Sequence, residues 1–122
     1  MNEPVSSYRG DDAYAFISYA HEDRDLVQAE LSWLNGQGIN TWFDEGIHPG
    51  SDWSDELAKA IAGSQCFVFF VTPRSVLSRT CLDELAYAQN QNSPVVAIHL
   101  EPTELSGGLA SVSYTHLRAH ET

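Results

Sequence analysis

Residues 66–71 read CFVFFV, six apolar side chains in a row with no polar residue turned outward. A strand wetted on one side alternates apolar with polar, whereas an unbroken run of this length is what a strand covered on both faces requires. Thr72-Pro73 closes the run, because proline cannot donate to a ladder. Outward from it, AYAFISYA (13–20) is a second such run, INTWF (39–43) a shorter third and PVVAIHL (94–100) a fourth. The intervals between these runs change period. Leu26, Val27, Leu31 and Leu34 recur at helical spacing between Asp23 and Gly36, with acids in the first turn and Gly36 placed as a stop. Ser51 is positioned to cap a helix carrying Trp53, Leu57, Ala60 and Ile61, ended by Gly63. Thr80 and Asp83 have the spacing of a capping-box variant, predicting a helix through Leu82, Leu85 and Ala86 to about Asn90. Strands alternating with helices imply right-handed crossovers, hence an α/β fold with one parallel sheet between helical layers.

The chain has 122 residues and a formal net charge of −11, from 17 acidic and 6 basic side chains, which fits one globular domain and repels phosphate backbones and anionic lipid heads. Nucleic-acid and membrane-surface partners are therefore not expected, and no apolar run approaches the ~18 residues of a membrane span. Cys66 and Cys81 are the only cysteines, too few for a disulfide framework, so a reducing, cytoplasmic location is expected. Residues 1–12 are polar and aperiodic and read as a flexible lead-in. The domain is expected over 13–110. Residues 111–122, SVSYTHLRAHET, show no period that continues the pattern and resemble the translated read-through of a sequencing adapter. With that tail set aside, a fifth strand is missing and the fourth is left as a hydrophobic edge. His116 and His120 lie in the same tail and lack a third ligand, so no metal site is expected.

In open α/β sheets, ligands sit beyond the carboxyl ends of the strands where the strand order reverses. For the order 2-1-3-4 that reversal falls between the first and third strands, whose ends carry SYAHED (18–23) and TPRSVLSRT (72–80), beside the loop DEGIHPGS (44–51). Glu84 lies four residues beyond Thr80, where the unpaired N–H groups of a helix start favour an ionised carboxylate. Cys81 and Ala88, one turn to either side, are small enough to leave that carboxylate open to the crevice. Phosphate-binding glycine motifs and nucleophile elbows are absent, and no local signature supports Cys81 as a nucleophile.

Taken together, FISYAHED, GINTWFDEGIHPGSDWSDELAKAI, FVFFVTPRSVLS and CLDELAYA resemble the Toll/interleukin-1 receptor (TIR) domain family in its bacterial and plant-like form, C-terminally truncated. The resemblance runs from about Ala13 to Leu100. It implies a flavodoxin-like sheet and a BB loop, here from Asp44 through Glu45, Gly46, Ile47, His48, Pro49 and Gly50, through which TIR domains associate. Many bacterial and plant members cleave NAD+ between nicotinamide and ribose, with NAD+ as substrate and no cofactor, in defence or cell-death signalling. Their catalytic glutamate corresponds to Glu84. The resemblance further implies a pocket floored by Ser18, Tyr19 and Ala20, with Asp44 at its side. Trp53 either stacks on nicotinamide or is the first core residue of its helix, and Tyr19 either floors the pocket or is a packing residue. Arg74 and Arg79 either meet the pyrophosphate or are solvated loop arginines. Thr80 departs from the family, many NAD+-cleaving members having Trp there. The rival implication is a non-catalytic module recruiting other TIR domains, and in either case a further domain is expected downstream.

Overall fold

The computed structural model describes residues 5–44 and 55–103, and the backbone of 114–115. In chain order it contains β1 (Ala15–Ser18), a 3-10 turn (His21–Asp23), α1 (Arg24–Gly36), β2 (Thr41–Trp42), α2 (Asp55–Gly63), β3 (Cys66–Val71), a 3-10 turn (Ser75–Leu77), α3 (Arg79–Asn90), β4 (Val95–His99) and β5 (Tyr114–Thr115). All pairings are parallel and the order is β2-β1-β3-β4-β5. The reversal of strand order between β1 and β3 lies where the sequence predicts it.

Alternation along the strands separates two cores. Phe16, Phe67, Phe69, Val71 and Ala97 face α2 and α3, meeting Leu57, Ala60, Ile61, Leu85 and Ala88. Ala15, Ile17, Tyr19, Val68 and Phe70 face α1, meeting Val27 and Leu31. Phe16 stacks between Trp42 at 5.1 Å and Phe67 at 5.4 Å, so one aromatic row ties the three adjacent strands β2, β1 and β3.

α1 ends at Gly36, where the sequence places its stop, and the turn that follows is shaped by Gly38, which takes φ +88°; its N–H bonds to the Asn35 carbonyl, and the Ile39 N–H bonds to the Leu34 carbonyl. Three other features differ from the sequence reading. The N-cap of α3 is Ser78 rather than Thr80, its Oγ accepting from the Cys81 N–H at 3.2 Å. Residues 5–12, read as a flexible lead-in, are tied to the domain instead. Tyr8 N–H donates to the Thr41 carbonyl and Ser7 Oγ accepts from Phe43 N–H, both at 2.8 Å, so this segment covers the outer edge of β2. Finally, β5 falls within the tail expected to be foreign, and its backbone pairs Tyr114 with Ala97 and Thr115 with Ile98. The sheet therefore has five strands, and β4 is not its edge.

Candidate functional site

Ser18 is the last residue of β1, and the pleat directs it to the α3 face. There its Oγ donates to Glu84 Oε1 at 2.8 Å. Glu84 is only 4% exposed. Its environment departs from the sequence reading for a traceable reason. With the cap at Ser78, Glu84 is the sixth helical residue of α3, past the turn in which free N–H groups and the helix dipole act. Cys81 and Ala88, expected to leave it open, are themselves buried, and the carboxyl turns inward beneath Ser18. Burial pushes the Glu84 carboxyl up to about 8; the Ser18 bond opposes the rise, and the charges of Asp44 and Asp83 add to it. At pH 7 the protonated form is therefore the favoured one. This replaces the expectation of a carboxylate ionised by the helix start. Burial likewise pushes the Cys81 thiol up to about 11, so it stays a thiol at neutral pH.

The remaining predicted residues divide into three groups. Tyr19 and Ala20 follow Ser18 and are buried, and the Tyr19 hydroxyl reaches the Asp44 carbonyl at 3.5 Å, which brings Asp44 to the same end of the sheet. Arg79, the first residue of α3, is exposed. Arg74 keeps 39% of its side chain exposed but is committed to two acids: its Nε bonds to Asp23 Oδ1 and its Nη2 to Glu101 Oε2 at 2.6 Å. Trp53 and the loop residues Glu45, Gly46, Ile47, His48, Pro49 and Gly50 lie outside the described residues.

Sequence reasoning missed the group that organises this end of the sheet. Asp23, 4% exposed, accepts from Thr72 Oγ1 at 2.6 Å as well as from Arg74. Thr72 and Ser75 also bind each other's backbone, Thr72 N–H to Ser75 Oγ and Ser75 N–H to Thr72 Oγ1, both at 3.0 Å. The segments after β1, β3 and β4 are thus joined through Asp23, Arg74 and Glu101. An acid at a helix start reads as a dipole partner, and nothing local shows that Asp23 is covered.

On the opposite face of β1 a cleft of about 300 Å³ opens beside α1, with Tyr19 and Phe43 among its lining residues and Glu84 not among them. Among the described residues, no cluster of three or more His, Cys, Asp or Glu is placed to hold a metal ion, and no helix is long and apolar enough to cross a membrane.

Comparison with known proteins agrees with this architecture. The family model for the TIR domain matches residues 15–122, and the chain belongs to the TIR domain family. The TIR domain of the Toll-related receptor TRR-2 from Hydra magnipapillata superposes with a TM-score of 0.69 at 24% identity, covering 82% of this chain and 80% of that one. The TIR domains of the activated Roq1 resistosome, which directly recognises the pathogen effector XopQ, give 0.64 at 26% identity over 75% of this chain and 60% of that one. A metazoan TIR-STING receptor from C. gigas gives 0.65 at 24% identity over 89% of this chain and 40% of that one. No curated protein sequence matches the chain.

Proposed function

We propose that this TIR domain is an NAD+ glycohydrolase acting in cytoplasmic defence or cell-death signalling, with Glu84 as its catalytic residue. The observation that carries the reading is a buried carboxyl held by Ser18 at 2.8 Å, with no ion pair among the described residues, at the end of β1 where the strand order reverses. The chemistry needs little else. Nicotinamide leaves a cationic ring as a neutral molecule, so no acid need protonate it, and the bond to ribose breaks toward an oxocarbenium-like sugar. An ionised Glu84 stabilises that charge, and water then adds at the anomeric carbon and loses a proton to solvent, giving ADP-ribose. The protonated resting state fits this scheme: a bound pyridinium supplies the positive charge that draws the proton off the carboxyl. Catalysis is thereby coupled to occupancy by a cationic substrate.

The test is release of nicotinamide from NAD+ by wild type beside Glu84→Ala and Glu84→Gln. Both variants are expected to lose at least about 10²-fold in kcat, the scale for removing one stabilising group from a developing charge. For wild type, kcat/KM should rise with pH and level off above about 8, since this ratio reports the free protein's carboxyl. Equal turnover by wild type and Glu84→Ala removes Glu84 from the mechanism.

A second reading is a TIR–TIR recruitment module without catalysis. It is favoured by the covered, neutral Glu84, which a purely structural acid also explains, and by the likeness to TIR domains of a resistosome. A wild-type protein that oligomerises and releases no nicotinamide supports this reading.

A further inference from the structure

Ser18 and Tyr19 are neighbours on the chain and serve opposite faces of the sheet. Ser18 reaches Glu84 on the α3 face, and Tyr19 belongs to the core beneath α1 and walls the cleft there. Ser18 ends β1 and Tyr19 follows it, so the buried Ser18–Glu84 pair and the cleft stand at the same end of that strand, on opposite faces. At about 300 Å³ the cleft stands at the low end of ligand pockets, which run to roughly 1,000 Å³, so it suits one nucleotide and not a whole dinucleotide.

Its walls carry three different chemistries. Tyr19 and Phe43 meet edge to face, with ring centroids 6.3 Å apart, and form an aromatic side. Arg24 and Asp25, consecutive at the start of α1, line it with a guanidinium and a carboxylate. Both are exposed, and among the described residues neither forms an ion pair. Gln28 stands one turn further along α1. Its Oε1 is taken by the Val5 N–H at 2.8 Å, which leaves the amide N–H groups as its available donors. A guanidinium is matched to phosphate oxygens, a carboxylate to the hydroxyl pair of a ribose, and an aromatic wall with amide donors to a purine bearing ring-nitrogen acceptors.

We propose that this cleft is a mononucleotide subsite that holds the adenylate half of NAD+, with Arg24 on phosphate, Asp25 on the ribose hydroxyls and Tyr19 and Gln28 on the base. The dinucleotide then crosses the end of β1, its nicotinamide riboside half on the Ser18–Glu84 side. Naming the dinucleotide rests on the hydrolase reading; binding of a mononucleotide in the cleft does not.

The experiment is titration of the full 122-residue chain with AMP, followed by amide chemical shifts and calorimetry. Shifts are expected at Tyr19, Arg24 and Gln28. Arg24→Ala should weaken AMP about tenfold, the equivalent of about 1.4 kcal/mol, while Glu84→Gln leaves AMP affinity unchanged. In NAD+ turnover, Arg24→Ala should raise KM with kcat unchanged, as loss of uniform binding does. Arg24 is exposed, so the variant is expected to melt with wild type, and Gln28→Ala gives an independent second probe. AMP binding in the cleft without nicotinamide release upholds the subsite and removes the hydrolase. Nicotinamide release with no AMP binding, or AMP binding unaltered by both α1 variants, overturns the subsite.

Discussion

Glu84 and Asp23 are equally buried, each 4% exposed, and each is held by a hydroxyl, yet they are built for different ends. Asp23 has Thr72 on one oxygen and the Arg74 guanidinium on the other, and Arg74 is shared with Glu101. Among the described residues Glu84 has the Ser18 hydroxyl as its partner, and the charges that act on it, Asp44 and Asp83, are both of like sign. Depth of burial therefore does not decide what a carboxyl does here; the supply of a cation does. Asp23 has been given its counter-charge by the fold and serves to join segments after β1, β3 and β4. Among the described residues Glu84 has none, and burial without a counter-charge keeps its proton on.

The largest stability effect that can break this contrast is at Glu84. Its folded-state value of about 8 lies above the ordinary 4.5, so the folded protein holds a proton that the unfolded chain has released between those values. The stability contributed by the protonated carboxyl is full below pH 4.5 and is lost as pH rises toward 8. Glu84→Gln has no proton to lose. Urea denaturation at pH 4, 6 and 9 should show the variant gaining on wild type as pH rises, up to a ceiling of about 5 kcal/mol at ~1.4 kcal/mol per unit. Parallel curves for the two proteins would mean that Glu84 ionises in the fold as freely as in the unfolded chain.

Next in size is the other member of the pair. Asp23→Ala removes the acceptor for Thr72 and the principal partner of Arg74, and should cost about 2–3 kcal/mol, less than for a fully buried pair because Arg74 can be rehydrated. A loss under ~0.5 kcal/mol, the level of an ordinary surface change, would make the network ornamental. The smallest effect sharpens the placement of Glu84 in its helix. Ser78→Ala should cost about 1 kcal/mol by removing the cap, and Thr80→Ala close to nothing, as read from thermal melts. The reverse ranking would return Glu84 to the first turn of α3, where a helix start favours its anion.

The four main strands and three helices were legible because each carries a period or an unbroken apolar run long enough to read. CFVFFV (66–71) is the clearest case, and its bounds coincide with those of β3. β5 was not legible, because two residues carry no period, and its pairing depends on the β4 edge being available. The covering of β2 by Ser7 and Tyr8 was missed for the same reason: polar, aperiodic chain reads as solvent-exposed until an edge with unpaired groups meets it. The cap of α3 was ambiguous by two residues, since Ser78 and Thr80 satisfy the same local rule, whereas the stop at Gly36 coincides with the end of α1.

By itself the amino-acid sequence determined the α/β class and the succession of strands and helices, because hydrophobic period and helix spacing are local properties of the chain; the strand order and Glu84 as the acid to watch came with the resemblance to TIR domains. Only the tertiary structure decided the state of that acid, the pairing of Asp23 with Arg74 and the cleft beside α1. Those depend on which groups are covered and which charges stand near them, and proximity across 49 or 66 positions of chain is created by folding.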